Sequence, residues 1–292
     1  MADAVAEQVS AVEAHHGEGP VWSESWGGLR FVDMLAGDVL AFDRASGAVT
    51  RIPVGTVVGV IRPRAGEHAG GMVAALEREF AFVSASGEVQ GLGELWSDTG
   101  IRMNDGATDP EGRFLAGTMA YAGTPRAGTL FQLDPSGATS VVLRGVTISN
   151  GLAWSPDHSV AYYIDTPTHN VDAFDWSPEA GLLLDTRRTV VSIPAGQGSP
   201  DGMTVDAQGY LWVALWGGSA VHRYAPDGKL DGVVDGLPAK QVSACTFGGP
   251  DLDELYITTS RQGLADDEQP LAGALFRAKP GVRGLPALDF GA

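Results

Sequence analysis

Thr129-Leu130-Phe131-Gln132-Leu133-Asp134-Pro135-Ser136-Gly137 sets a short apolar strand directly against a tight turn. Asp and Ser side chains bond to their own backbone in such turns, proline presets φ, and glycine takes a left-handed φ without steric cost. The same unit returns as Asp43-Arg44-Ala45-Ser46-Gly47, Ser84-Ala85-Ser86-Gly87, Ser177-Pro178-Glu179-Ala180-Gly181, Ala225-Pro226-Asp227-Gly228 and Ala278-Lys279-Pro280-Gly281. Its final glycines stand about 40 to 53 residues apart, the period of propeller blades when each unit is all-β.

Working outward, short β-branched and aromatic runs recur at 28–34, 39–43, 113–118, 129–133, 160–165, 210–215, 220–224 and 254–259. Turn signals separate them every eight to twelve positions, as in a sandwich or propeller. A second turn series (109–112, 155–157, 206–209, 249–251) is read as preceding the inner strand pairs. Two series in register give about four strands per unit, so six units of about 45 residues fill the chain. The reading is an all-β, six-bladed β-propeller of four antiparallel strands per blade. It forms a single domain over residues 10–285, with a flexible N-terminus over 1–9. A pair of β-sandwiches explains the short strands but not the regular glycine spacing.

Composition narrows the function. The 292 residues carry 36 acidic and 19 basic side chains, a formal charge of −17. That balance lacks the basic patch a nucleic acid needs and disfavours an anionic membrane. The lone cysteine, Cys245, lies in the apolar stretch 242–247 and reads as a buried thiol; one cysteine makes no intrachain disulfide. Met1-Ala2-Asp3-Ala4 lacks the basic start and apolar run of a signal peptide, and the apolar run near 54–61 is too short for a bilayer. The expectation is a cytoplasmic protein; oligomeric state is not legible.

In a propeller, loops entering the innermost strands point at the central axis. Those entries read Gly17-Glu18-Gly19-Pro20-Val21-Trp22, Arg102-Met103-Asn104-Asp105-Gly106, Ser149-Asn150-Gly151-Leu152-Ala153-Trp154 and Pro200-Asp201-Gly202-Met203. Each puts an oxygen-bearing side chain before glycine and an apolar strand. Asp and Asn before glycine often serve only as turn residues. Glu18 is different, because glutamate is a poor turn former. Equivalent positions in successive blades form one ring, so Glu18, Asn150 and Asp201, with Asn104 as a candidate fourth member, face one another as an oxygen-rich, anionic set. Such a set suits one hard divalent cation (Ca²⁺, Mg²⁺ or Mn²⁺), although Zn²⁺ and Fe²⁺ also accept carboxylates. Other chemistries have less support. His15-His16 reads as a solvated strand-edge pair, and no serine lies in a G-x-S-x-G context.

These segments resemble the regucalcin (senescence marker protein) and gluconolactonase family of six-bladed propellers. Gly117-Thr118-Met119, Tyr162-Tyr163-Ile164-Asp165, Leu215-Trp216-Gly217-Gly218 and Phe247-Gly248-Gly249-Pro250 add to the resemblance, which runs from about residue 12 to 277. It implies one divalent metal on Glu18, Asn150 and Asp201, a sugar lactone as small-molecule substrate, and substrate hydroxyls contacted by Arg102 and Asn104. Asp201 is then the catalytic base and Tyr121 a further substrate contact. Regucalcin-like members carry glutamate where Tyr121 stands, which implies a lactonase of altered sugar preference (glucono-, xylono- or arabinolactone). The rivals are a phosphotriesterase resembling diisopropylfluorophosphatase and a non-enzymatic, metal-binding regulatory propeller. Short loops and the Arg102/Asn104 pair favour a hydroxylated substrate.

Overall fold

The computed structural model describes residues 4–265 and 267–292. Six sheets surround one axis, and four of them are consecutive antiparallel meanders of four strands. From the axis outward, blade 1 opens with Gly17–Ser23, blade 2 with Val58–Pro63 and blade 3 with Ile101–Thr108. Blades 4, 5 and 6 open with Ser149–Trp154, Ser199–Val205 and Val242–Gly248. The repeating turn glycines Gly47, Gly87, Gly137, Gly181, Gly228 and Gly281 all have φ between 69° and 89°. That left-handed region is why glycine recurs there.

The described residues share no single core. Successive side chains on a strand face opposite ways, so each blade is buried on both faces against its neighbours. The described apolar residues form six clusters, each shared by two adjacent blades. Val60 packs toward blade 3 and Ile61 toward blade 1. Tyr162 joins the cluster with blade 5, whereas Tyr163 joins the one with blade 3. The aromatic residues fill these seams: Trp212 meets Phe247 edge-on at 5.5 Å, and Trp22 stacks on Tyr256 at 6.1 Å. Cys245 is buried in the seam of blades 5 and 6, where burial pushes its thiol pKa up.

Two expectations are corrected. The second turn series does not precede the inner strand pairs. Residues 109–112 link Ile101–Thr108 to Phe114–Ala120, and 206–209 link Ser199–Val205 to Leu211–Trp216. They are hairpin turns inside each pair, at the end of the channel opposite the strand entries. The N-terminus is also more structured than expected. Glu7–Val12 forms the outer strand of blade 6, antiparallel to Ala274–Ala278, and Ala4–Val5 adds a parallel edge to blade 5. The ring closes by joining the two ends of the chain in one sheet, so residues 4–9 are held by backbone hydrogen bonds. Residues 1–3 lie outside the described residues.

The C-terminal segment also has a place. It crosses the hairpin end of the channel, bridging Gly284 to Asp206 and Phe290 to Arg64. Residues 285–288 cap a cavity of about 360 Å³ walled by Val21, Leu152, Met203 and Ala244.

Candidate active site

All six inner strands share one irregularity. Pairing with the second strand slips between Glu18 and Val21, Val58 and Val60, Met103 and Gly106, Asn150 and Leu152, Pro200 and Met203, and Val242 and Ala244. Each slip is a β-bulge, one extra residue on the inner strand, which re-aims local side chains. The slips fall at equivalent places, so the re-aimed residues form one ring at the strand-entry end of the channel.

Four blades give that ring Glu18, Asn104, Asn150 and Asp201, each 3–5% exposed. Arg102 NH1 donates to Asn104 Oδ1 at 2.6 Å. Asn104 Nδ2 donates to Asn150 Oδ1 at 2.9 Å and to Ser149 O at 2.8 Å. Asn150 Nδ2 in turn donates to Thr166 Oγ1 at 2.7 Å. The carboxylates are provided for differently. Glu18 Oε2 accepts only the neighbouring Gly19 N–H at 3.0 Å, and no donor among the described residues reaches the Asp201 carboxylate.

Buried carboxylates without donors are expensive to ionise. Burial, then the charge of nearby Asp105, raises the Glu18 pKa to about 8, against Gly19 and Arg102. Burial, then Glu18 and Asp105, also raises that of Asp201, with Arg102 opposing. Asp105 itself is raised by burial and restrained by Arg62. These three carboxylates feel one another, and the two nearby guanidiniums carry too little positive charge to balance them. A dication among Glu18, Asp201 and the Asn150 carbonyl oxygen would relieve that imbalance, so the donor set fits a hard metal. Among the described residues, no three His, Cys, Asp or Glu side chains are placed to hold a metal. The Asn150 amide oxygen is the further side-chain ligand that the ring offers beside the two carboxylates.

The substrate-side expectations fare unevenly. Arg102 is 3% exposed and forms no surface ion pair; its NH1 also touches Met34 Sδ at 2.9 Å, and its buried Nε has no partner. Asn104 has spent both amide hydrogens on Ser149 and Asn150, leaving it only acceptor capacity. Tyr121 is half exposed at the rim, with the Arg102 guanidinium 5.7 Å from its ring centre. Its hydroxyl donates to Glu77 Oε1 at 2.6 Å, and desolvation followed by this contact pushes its pKa up to about 12.

Sequence reasoning missed three residues here. Glu77 and Thr166 lie in turns between the second and third strands of blades 2 and 4, where no local signal marks them. His16 was read with His15 as a solvated pair, and that is a correction: His15 is exposed, but His16 is buried. His16 Nδ1 meets Ser260 Oγ at 2.7 Å, and its ring lies edge-on to Trp216 at 5.7 Å. Burial, then the Arg102 charge, lowers its pKa to about 3, so the imidazole is neutral. Ser260 is fully buried, and this His–Ser contact ties blade 6 to the entry of blade 1.

Comparison with known proteins places the chain in a family. The family model described as SMP-30/Gluconolactonase/LRE-like region matches residues 16–261. The chain belongs to that family. It is similar to regucalcin of Bos taurus, 37% identical over 299 residues that cover 94% of this chain and 95% of the relative. Among solved structures it resembles a calcium-binding regucalcin of Agrobacterium tumefaciens, with TM-score 0.91, 25% identity, and 100% and 99% of the two chains covered. A luciferin-regenerating enzyme aligns with TM-score 0.88 and 29% identity over 99% of this chain and 100% of its own. The match to the family model spans all four polar ring positions.

Proposed function

We propose that this family member is a metal-dependent lactonase that opens sugar-acid lactones. The observation that carries the reading is the pair of buried carboxylates, Glu18 with one backbone donor and Asp201 with none among the described residues, beside the inward amide oxygen of Asn150. Calcium binding by the similar Agrobacterium tumefaciens protein and the gluconolactonase family description support it.

A divalent cation held by Glu18, Asn150 and Asp201 would polarise the lactone carbonyl and stabilise negative charge developing on its oxygen. Asp201 accepts a proton from the attacking water as the water oxygen bonds to the carbonyl carbon. The bond from that carbon to the ring oxygen then breaks, and Asp201 returns the proton to the departing oxygen. The product is the open hydroxy acid. A carboxylate beside a dication is a weakened base, so Asp201 contributes position more than basicity.

Arg102, whose guanidinium lies beside the ring, would donate to a substrate hydroxyl, and Asn104 Oδ1 keeps a second lone pair for another. Tyr121 and Glu77 form the outer rim, where a hydroxylated ring meets an aromatic face and a carboxylate. No helix among the described residues is long and apolar enough to cross a membrane.

The deciding assay offers glucono-, xylono- and arabinolactone, with an organophosphate triester alongside, to protein reloaded with Ca²⁺, Mg²⁺, Mn²⁺, Zn²⁺ or Fe²⁺. Lactone turnover that disappears on chelation and returns with metal is expected. Metal binding with no lactone turnover would leave a binding protein, and triester turnover alone would point to a phosphotriesterase.

A further inference from the structure

Amide oxygen and nitrogen have similar shapes but opposite chemistry: only the oxygen of Asn150 can face a cation. What fixes its orientation can be traced from both ends of a hydrogen-bonded arc. At one end stands the Pro200 carbonyl, which can only accept. Thr166 Oγ1 lies 2.8 Å from it, so the hydroxyl proton points there. That leaves Thr166 Oγ1 as an acceptor toward Asn150, 2.7 Å away, and the Asn150 group facing it must be Nδ2. At the other end stands Arg102, which can only donate. Its bond fixes Asn104 Oδ1, so Asn104 Nδ2 faces Asn150 Oδ1. Both ends demand the same orientation. One lone pair of Asn150 Oδ1 takes the Asn104 proton, and the other stays available to an ion.

We propose that Thr166 is a positioning residue for the metal. It locks the Asn150 amide with its oxygen inward and ties that amide to Pro200, the residue preceding Asp201. The proposal rests on the metal reading of the ring. Thr166 sits in the one-turn 3₁₀ segment Thr166–Thr168 between the second and third strands of blade 4. Its own N–H donates to Ile148 O at 3.1 Å, which holds its backbone beside the inner strand. The hydroxyl therefore links blade 4 to the entry of blade 5, joining two candidate ligand positions 51 residues apart in sequence.

Thr166→Val preserves shape but removes the hydroxyl. Asn150 Nδ2 and Pro200 O lose their partner, and nothing on that side keeps the amide oxygen inward. Partners of metal ligands typically hold 10–100-fold in affinity. Calorimetric titration of metal-stripped protein with Ca²⁺ or Mn²⁺ alone should show a loss of about that size. Thr166→Ser should restore wild-type binding, because it returns the hydroxyl. Asn150→Asp supplies two equivalent oxygens that need no such orientation, so Thr166→Val should have little further effect in that background. Circular dichroism and thermal melting verify the fold of each variant.

Wild-type affinity in folded Thr166→Val, failure of Thr166→Ser to restore binding, or an undiminished Thr166→Val effect on Asn150→Asp would each overturn the proposal while leaving the metal site standing. Wild-type protein that binds no divalent ion would overturn both.

Discussion

Blades 1, 3, 4 and 5 use the inner-strand bulge differently from blades 2 and 6. All six strands slip register at the same place, but the first group presents Glu18, Asn104, Asn150 and Asp201 to the channel. Blade 2 has Val58 there and blade 6 has Val242, both fully buried in the apolar seams. The bulge residue that follows seats a neighbouring inner strand in both kinds of blade: a Cβ on Gly59 would lie 2.4 Å from Asn104 O, one on Gly202 2.9 Å from Ser243 O, and Ser243 Oγ donates to Gly17 O at 2.5 Å. The bulge is thus a property of the repeat, and chemistry enters only where an oxygen-bearing side chain has room to point inward. Support blades and site blades are one backbone device with two uses.

The contrast predicts its own breakpoints. Asp201→Asn should lower lactone turnover by about 10³-fold or more, the order expected when a general base that also holds metal is lost. Adding Ser243→Asp should not restore it, since that position faces Gly17; recovered turnover would show the blades to be interchangeable. Gly59→Ala should cost about 1–3 kcal/mol in urea unfolding, because the new methyl meets rigid backbone. An unchanged midpoint would mean that the Gly59–Asn104 approach is loose.

Carboxylates of the ring differ from other buried carboxylates in their partners. Whereas Glu18 has a single backbone donor and Asp201 none among the described residues, and both are pushed up, Glu254 of blade 6 is buried among donors. It accepts from Arg44 of blade 1 at 2.9 and 2.8 Å and from Tyr256 at 2.7 Å, with Lys279 at 3.3 Å. The Arg44 hydrogen bond, outweighing burial and aided by Tyr256 and Lys279, lowers its pKa to about 2. A lowered carboxylate pKa means stability present above the ordinary value, near 4.5, and lost as pH falls toward about 2. Glu254→Gln should remove that part of the acid slope in unfolding measured across the window; an unaltered slope would deny the Arg44–Glu254 contact a role in closing blade 6 on blade 1. The smallest effect is expected for Ser243→Ala, about 1 kcal/mol for one buried hydrogen bond. A larger loss, accompanied by weakened metal binding, would show that blade 6 helps place Glu18.

The turn glycines made the blade count legible because a left-handed φ is required at each, and few other residues tolerate it. Glu18 stood out for a related reason, a carboxylate where a turn has no use for one. The ring closure was hidden. Glu7–Val12 carries no strand signal strong enough to place it beside Ala274–Ala278, since that pairing exists only once five blades have curved round. His16 misled because burial depends on what covers a residue, and its cover, Ser260 and Trp216, comes from blades 6 and 5.

By itself, the sequence determined an all-β repeat, six apolar seams built by alternation, and a few oxygen-bearing residues at equivalent strand entries. These are local facts, set by backbone sterics and by the two-residue period of a strand. Tertiary structure alone decided that these entries converge on one channel and what each bulge packs against. It also decided that Asn104 spends its donors on Asn150, and that Thr166 and Pro200 orient the amide. Those roles depend on hydrogen-bond partners tens of residues away, and a partner's distance and direction exist only after the ring has closed.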